Sequence, residues 1–91
     1  MTPAEVIAQV QAHMRDGKHR MGLAVLADWL DERLAQEDHA ACADLMGRIT
    51  DRESLPSGAI PLILYLTRIA GDALAPHRDG LAYRLNPNSP M

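Results

Sequence analysis

One histidine lies close enough to the only cysteine of the chain for the two to form a reactive or metal-binding pair. His39 and Cys42 are three residues apart, so a helix would place both on one side, with the carboxylate of Asp38 nearby. A zinc site needs about four ligands, or three and a water molecule, and the other histidines show no ligand-like spacing. A cysteine on an apolar stripe usually behaves as a small hydrophobic residue. We therefore predict no metal site, and a metal- or thiol-dependent activity at His39 and Cys42 stays an alternative.

The only cluster of basic residues lies at the turn that follows the first predicted helix. It consists of Arg15, Lys18, His19 and Arg20. Such a cluster can contact a phosphate or an acidic partner, but the formal net charge of −3 gives the chain no general attraction to nucleic acid. No aromatic residue for base stacking accompanies the cluster. A small nucleic-acid-binding regulator that contacts anions through Arg15, Lys18 and Arg20 is therefore an alternative function.

A group of three carboxylates lies on the polar face of the second predicted helix. The group comprises Asp28, Asp31 and Glu32. Paired carboxylates catalyse reactions when a pocket desolvates one of them, and the pattern indicates a solvated helix face instead. The sequence also lacks a Gly-rich phosphate loop, a Gly-x-Ser-x-Gly elbow and a His-Glu-x-x-His motif. We therefore predict a protein that is not an enzyme and that needs no cofactor and no small-molecule substrate.

The apolar periodicity predicts that helices position these residues. A capping box of Thr2 and Glu5 indicates the start of the first helix, which should end at Gly17. The second helix is predicted over about residues 18–36, and its wide apolar arc indicates contact with more than one neighbour. A third helix is predicted from a cap at Asp38 to about residue 51, with a stripe that includes Leu45 and either Ala41 or Cys42.

A fourth helix, predicted over residues 58–71 with Ser57 as its cap, is apolar on almost all sides, with Thr67 and Arg68 as the exceptions. Such a helix is either buried at the centre of a protein or lies at an interface. We therefore expect the second and fourth helices to form the core, and the apolar surplus of the fourth helix is either buried there or faces a partner. The candidate interface consists of Trp29, Ile60, Ile63, Leu64 and Tyr65.

A short fifth helix is predicted around residues 77–85, with an interruption at Gly80. Leu81, Tyr83 and Leu85 would then be available for packing. Residues 1–85 are predicted to form one helical domain, and residues 86–91 a flexible C-terminal tail.

Composition limits the fold class and the location of the chain. Of the 91 residues, 47% are hydrophobic, mostly leucine and alanine, and phenylalanine is absent, which favours helices over strands. We predict an all-α fold, a compact bundle of four to five short helices. The longest apolar stretch, residues 60–66, is far shorter than the roughly 20 residues of a membrane span. The N-terminus does not resemble a signal peptide, so we expect a cytoplasmic protein.

The string Ala27-Asp28-Trp29-Leu30-Asp31-Glu32 resembles the signature of a small bacterial helical module, the repeat-companion domain. The resemblance covers at most residues 5–48, and it implies a helical fold whose second helix carries the signature. The loop before the signature departs from the Asp/Pro-rich loop of that family. Because the family has no established biochemical activity, the resemblance implies a fold and no function.

The prediction of function rests on two features of the sequence. The helices carry an excess of apolar surface, and no group of polar residues is predicted to converge on one site. We predict a non-enzymatic module that binds a partner protein or self-associates, as a dimer for example.

Overall fold

The computed structural model describes residues 1–50 and 55–85, and five α-helices form within them. In chain order these are α1 (Pro3–Arg15), α2 (His19–Ala35), α3 (His39–Arg48), α4 (Ala59–Arg68) and α5 (Ala75–Leu85), with a short 3-10 turn at Gly71–Ala73 before α5. No strand occurs among the described residues, and the prediction of an all-α bundle is confirmed. The predicted tail, residues 86–91, lies outside the described part of the chain.

The first helix begins with the capping box that the sequence predicts. The backbone N–H of Glu5 donates to the Thr2 hydroxyl over 3.2 Å, and the backbone N–H of Thr2 donates to the Glu5 carboxylate over 3.2 Å. The hydrogen bond that the Thr2 backbone N–H donates to the carboxylate lowers the pKa of Glu5, because it favours the charged form. The helix ends at Arg15, and it buries Val6 and Val10 against its neighbours.

The turns before α2 and before α3 have the same backbone geometry. Gly17 and Glu37 take left-handed conformations, with φ of 75° and 55°. The next residue of each turn donates its N–H over 2.8 Å to a carbonyl five residues earlier, from Lys18 to His13 and from Asp38 to Arg33. This bond pattern closes the preceding helix and sets the direction of the next one. The connection from α1 to α2 and the connection from α2 to α3 therefore have the same backbone geometry.

The two turns differ in how they cap the helix that follows. Asp38 accepts a hydrogen bond from the backbone N–H of Ala41, whereas Lys18, in the equivalent position, makes no side-chain cap. Lysine also places a positive charge at the positive end of the α2 dipole. We expect Lys18→Asp to stabilise the protein by about 1 kcal/mol, through the cap and the dipole together.

Urea denaturation of Lys18→Asp, Lys18→Asn and Lys18→Ala separates these two contributions. Asparagine supplies the cap without the charge, and alanine removes the lysine charge without supplying a cap. A Lys18→Asp variant no more stable than Lys18→Ala would show that the turn before α2 does not present a capping position.

The second helix is the centre of the molecule. It packs against α1, α3 and α4, while α5 packs against α3 and α4. Its inward face buries Gly22, Leu26, Trp29 and Leu30. The predicted side-by-side packing of the second and fourth helices is present, and the core lies between α2 and the helices around it.

Several predicted boundaries are corrected by the structure. α3 ends at Arg48, before the predicted residue 51, and α4 spans Ala59–Arg68, shorter than predicted. The N-cap of α4 is Gly58 with a φ of 87°, and not Ser57. α5 runs through Gly80 without interruption, because an isolated glycine weakens a helix by only about 1 kcal/mol.

Two side chains lie on faces that the sequence did not indicate. Thr67, expected as a polar exception on α4, is fully buried, and its hydroxyl donates to the backbone carbonyl of Ile63 over 2.6 Å. This bond lets a polar side chain lie in the core. Tyr83, expected to pack, is 60% exposed, whereas Leu81 packs in the core.

Candidate functional site

The predicted pair of His39 and Cys42 lies at the start of α3, where the two side chains have different environments. Cys42 is 0% exposed and belongs to the core, and His39 is half-buried. Burial raises the pKa of the Cys42 thiol, and the negative charge of Asp38 raises it further. No group of three or more potential metal ligands occurs within the described residues. A buried thiol with a raised pKa is a poor nucleophile, so these observations weigh against a thiol-dependent activity.

The burial of Cys42 predicts slow thiol chemistry. At pH 8 we expect Ellman's reagent to react with the native chain at least about tenfold more slowly than with the urea-unfolded chain, because the thiolate is the reacting form. The pKa of the Cys42 thiol in the folded state lies above its ordinary value of 9.0. The contribution of the protonated thiol to the free energy of unfolding is therefore intact below pH 9 and is lost as the pH rises further. Cys42→Ala should lack this alkaline loss. Equal labelling rates in the native and unfolded chains would contradict the buried position.

The basic cluster forms an exposed surface at the turn between α1 and α2. Arg15, Lys18, His19 and Arg20 are all exposed. None of them makes a salt bridge within the part of the chain that the structure describes. The structure therefore places the predicted anion contacts Arg15, Lys18 and Arg20 on the exposed surface around one turn.

The structure separates the five predicted interface residues into two groups. Trp29, Ile60 and Ile63 are buried in the core, so these three do not form a surface in this fold. Trp29 is held there by its indole N–H, which donates to the carbonyl of Met1 over 2.9 Å. Leu64 is half-buried and Tyr65 is 68% exposed. Of the predicted interface, these last two residues remain accessible.

Apart from Arg68, the outward face of α4 is apolar. Residues spaced three and four apart lie on one helix face, and Pro61, Tyr65 and Ile69 follow this spacing on the exposed side of α4 and its C-cap. Tyr65 and Ile69 are 68% and 72% exposed. The opposite face buries Ile60, Ile63 and Leu66. α4 is thus both a core helix and a surface helix, and we call Pro61, Tyr65 and Ile69 the α4 face.

A groove of about 290 Å³ separates α4 from α5 beside the α4 face. Its α4 wall includes Pro61, Leu64, Tyr65 and Arg68, and its α5 wall includes Arg78 and Asp79. The groove therefore combines apolar walls with two arginines and one carboxylate. We call it the α4–α5 groove.

The guanidinium of Arg78 is incompletely paired. Its Nε lies 4.0 Å from the Asp79 carboxylate, the outer limit of an ion pair, and its buried Nη1 has no hydrogen-bond partner among the described residues. A buried donor without an acceptor costs about 1–3 kcal/mol. Arg78 is therefore a side chain of this groove whose hydrogen-bonding capacity is only partly used within the described residues.

A second groove of about 240 Å³ lies between α3 and α5 and includes His77, Gly80 and Arg84. The arginine of this groove already has a hydrogen-bond partner, because Arg84 Nη2 donates to the Met46 carbonyl over 2.6 Å at the end of α3. This contact ties α5 to α3. The arginine of the α3–α5 groove is consequently less available to a ligand than the arginines of the α4–α5 groove.

The sequence reasoning did not identify Ile69, Arg78 and Asp79 as site residues. Ile69 shares the helix face of Tyr65 by its spacing of four, and this periodicity could have indicated it. Arg78 and Asp79 come from α5, whose pattern is too weakly apolar to reveal which side meets α4.

None of the helices formed by the described residues combines the length and the apolar composition that a membrane crossing requires. Comparisons with protein-family models, curated proteins and solved structures found no match to this chain. The fold and the surface together define a small all-α helical bundle with an apolar helix face beside a groove that contains arginine. The similarity to the repeat-companion domain stays a prediction that depends on residues 27–32.

Proposed function

We propose that the chain is a non-enzymatic protein-binding module and that its contact surface is the α4 face. The observation that carries the proposal is the exposure of Tyr65 and Ile69 side by side on a helix whose other face is buried. Contiguous exposed apolar surface is typical of sites of protein–protein contact. Tyrosine is also enriched at such sites, because its ring is apolar and its hydroxyl forms hydrogen bonds.

The outward faces of other helices support this choice by contrast. α2 exposes Asp28, Asp31 and Glu32, and α3 exposes Asp44 and Arg48. Charged outward faces are the ordinary composition of a surface helix in water. The α4 face departs from this composition, which fits a surface that another protein covers. A cytoplasmic location is part of the proposal, because a single cysteine forms no internal disulfide.

The experiment compares the wild type with the double variant Tyr65→Ser/Ile69→Ser. Sedimentation velocity over a range of concentrations measures self-association, and selection from a random peptide library displayed on phage measures binding to other chains. We expect association in at least one measurement and its loss in the double variant. The control is Met21→Ser, which removes an exposed apolar side chain from α2 and should retain binding.

The proposal fails if the wild type stays monomeric and selects no peptide whose binding depends on Tyr65 and Ile69. Circular dichroism of the double variant excludes unfolding as the reason for lost binding. Both substituted side chains are mostly exposed, so we expect the helix content of the variant to match the wild type.

Anion binding at the basic cluster is the second candidate function, and one observation favours it. Lys18 occupies a position that caps a helix in the equivalent turn at Asp38, although lysine cannot supply that cap. Proteins break local rules such as helix capping mainly at functional or strained sites. Fluorescence anisotropy with a labelled oligonucleotide at low salt tests this candidate. Binding should weaken with rising salt and in Lys18→Gln, and an absence of binding at low salt would exclude it.

A further inference from the structure

We propose that the α4–α5 groove binds an acidic segment of the partner protein, with one carboxylate side chain between Arg68 and Arg78. A neighbouring apolar side chain of the same segment would pack on Pro61 and Tyr65. This inference rests on the proposed function and specifies the chemistry of the partner.

The charges of the groove favour an anionic occupant. Arg68 is exposed and has no salt-bridge partner within residues 1–50 and 55–85. Arg78 has only the Asp79 carboxylate, 4.0 Å from its Nε. The groove therefore carries a net positive charge although the whole chain carries a formal charge of −3. Such a local reversal of charge attracts a negative partner and orients it as it approaches.

The hydrogen bonds left unformed by Arg78 indicate what kind of anion fits. A guanidinium presents several N–H donors in a planar fork, and among the described residues the only charged partner of Arg78 is Asp79, 4.0 Å from its Nε. A carboxylate offers two oxygens in the geometry that this fork matches. A carboxylate that enters the groove would thus supply hydrogen-bond acceptors that Arg78 lacks within the described residues.

The size and the walls of the groove favour a peptide side chain over other anions. A volume of about 290 Å³ lies at the lower limit for pockets that enclose small molecules, so it suits one or two side chains. The apolar walls at Pro61 and Leu64 suit a segment that also carries apolar residues. We therefore commit to an acidic and apolar protein segment as the occupant.

The experiment is an NMR titration of the ¹⁵N-labelled full chain with two pools of synthetic peptides. One pool combines leucine with glutamate and aspartate, and the other has glutamine and asparagine in place of every acid. We expect the acidic pool to shift the backbone amides of Tyr65, Arg68 and Asp79, and to bind about tenfold more tightly than the neutral pool.

The variants assign this effect to the groove. Arg68→Gln should weaken binding of the acidic pool about tenfold, and its exposed position leaves the fold intact. Arg78→Gln should weaken binding as well, and its spectrum shows directly whether it folds. Arg48→Gln removes the same charge from an exposed position on α3, and it should leave the affinity unchanged.

Four results would overturn the inference. Equal binding of both pools would remove the role of charge, and shifts centred on Arg15 and Arg20 would move the acidic partner to the basic cluster. Tighter binding of inorganic phosphate than of the peptides at the same amides would identify a simple anion site. A lack of response to either pool, with self-association that still depends on Tyr65 and Ile69, would remove the acidic segment and leave the proposed function standing.

Discussion

Replacing Ile63 by alanine should lower the free energy of unfolding by about 3 kcal/mol. Ile63 is 0% exposed and lies in the core on the inward face of α4. The substitution removes buried methyl and methylene groups and leaves a cavity, because the surrounding helices relax only partly. A domain of this size has a stability on the order of 5 kcal/mol, so the variant should keep less than half of it.

Ile69→Ala is a matched control for this prediction. It makes the same chemical change six residues further along the chain, at the C-cap of α4, where the side chain is 72% exposed. We expect a change within about 0.5 kcal/mol, since no core contact is lost. Urea denaturation of both variants measures the difference. Equal losses at the two positions would mean that α4 buries a different face from the one described, and the α4 face would no longer be a surface.

The pair of isoleucines also shows why the sequence could predict α4 as a helix and not which side it buries. Apolar residues occur on all sides of the predicted helix, so periodicity alone does not distinguish Ile60 and Ile63 from Tyr65 and Ile69. The packing of α4 against α2 and α5 makes that distinction. The candidate interface therefore combined residues that the fold separates into core and surface.

The first three helices could be predicted more closely, because local signals mark their ends. Thr2 and Glu5 identify the start of α1, Gly17 identifies its end, and Asp38 identifies the start of α3. The turn at Glu37 has no glycine, although it has the same left-handed geometry as Gly17. Its conformation depends on the helices that it joins, and residue preference alone does not indicate it.

The α4–α5 groove could not be predicted, because its arginines come from helices that are separate in sequence. Arg68 ends α4 and Arg78 lies in the first half of α5. A charge-pattern argument detects residues that cluster in sequence, as Arg15, Lys18 and Arg20 do. Residues that only tertiary packing brings together leave no such pattern.

The closest approach of α1 to α2 predicts the second large effect on stability. A Cβ atom added at Gly22 would lie 3.3 Å from the backbone carbonyl oxygen of Val10 and 3.6 Å from Cβ of His13. The nearest of these atoms belongs to the backbone of α1, so α1 would have to shift by a few tenths of an ångström at this point. We expect Gly22→Leu to destabilise the protein by about 2 kcal/mol, because overpacking exceeds the gain in helix propensity.

Gly80→Leu makes the same substitution in the interior of α5, where nothing lies within 4 Å of the added Cβ. There the gain in helix propensity of up to about 1 kcal/mol is not opposed by a backbone contact. The free energies of unfolding of the two variants, measured by urea denaturation, should therefore differ by about 3 kcal/mol. We expect Gly22→Leu to be less stable than the wild type and Gly80→Leu to be more stable. If Gly22→Leu were as stable as Gly80→Leu, α1 would not lie against α2 at Gly22. The description of α2 as the central helix, packed against α1, α3 and α4, would then no longer hold.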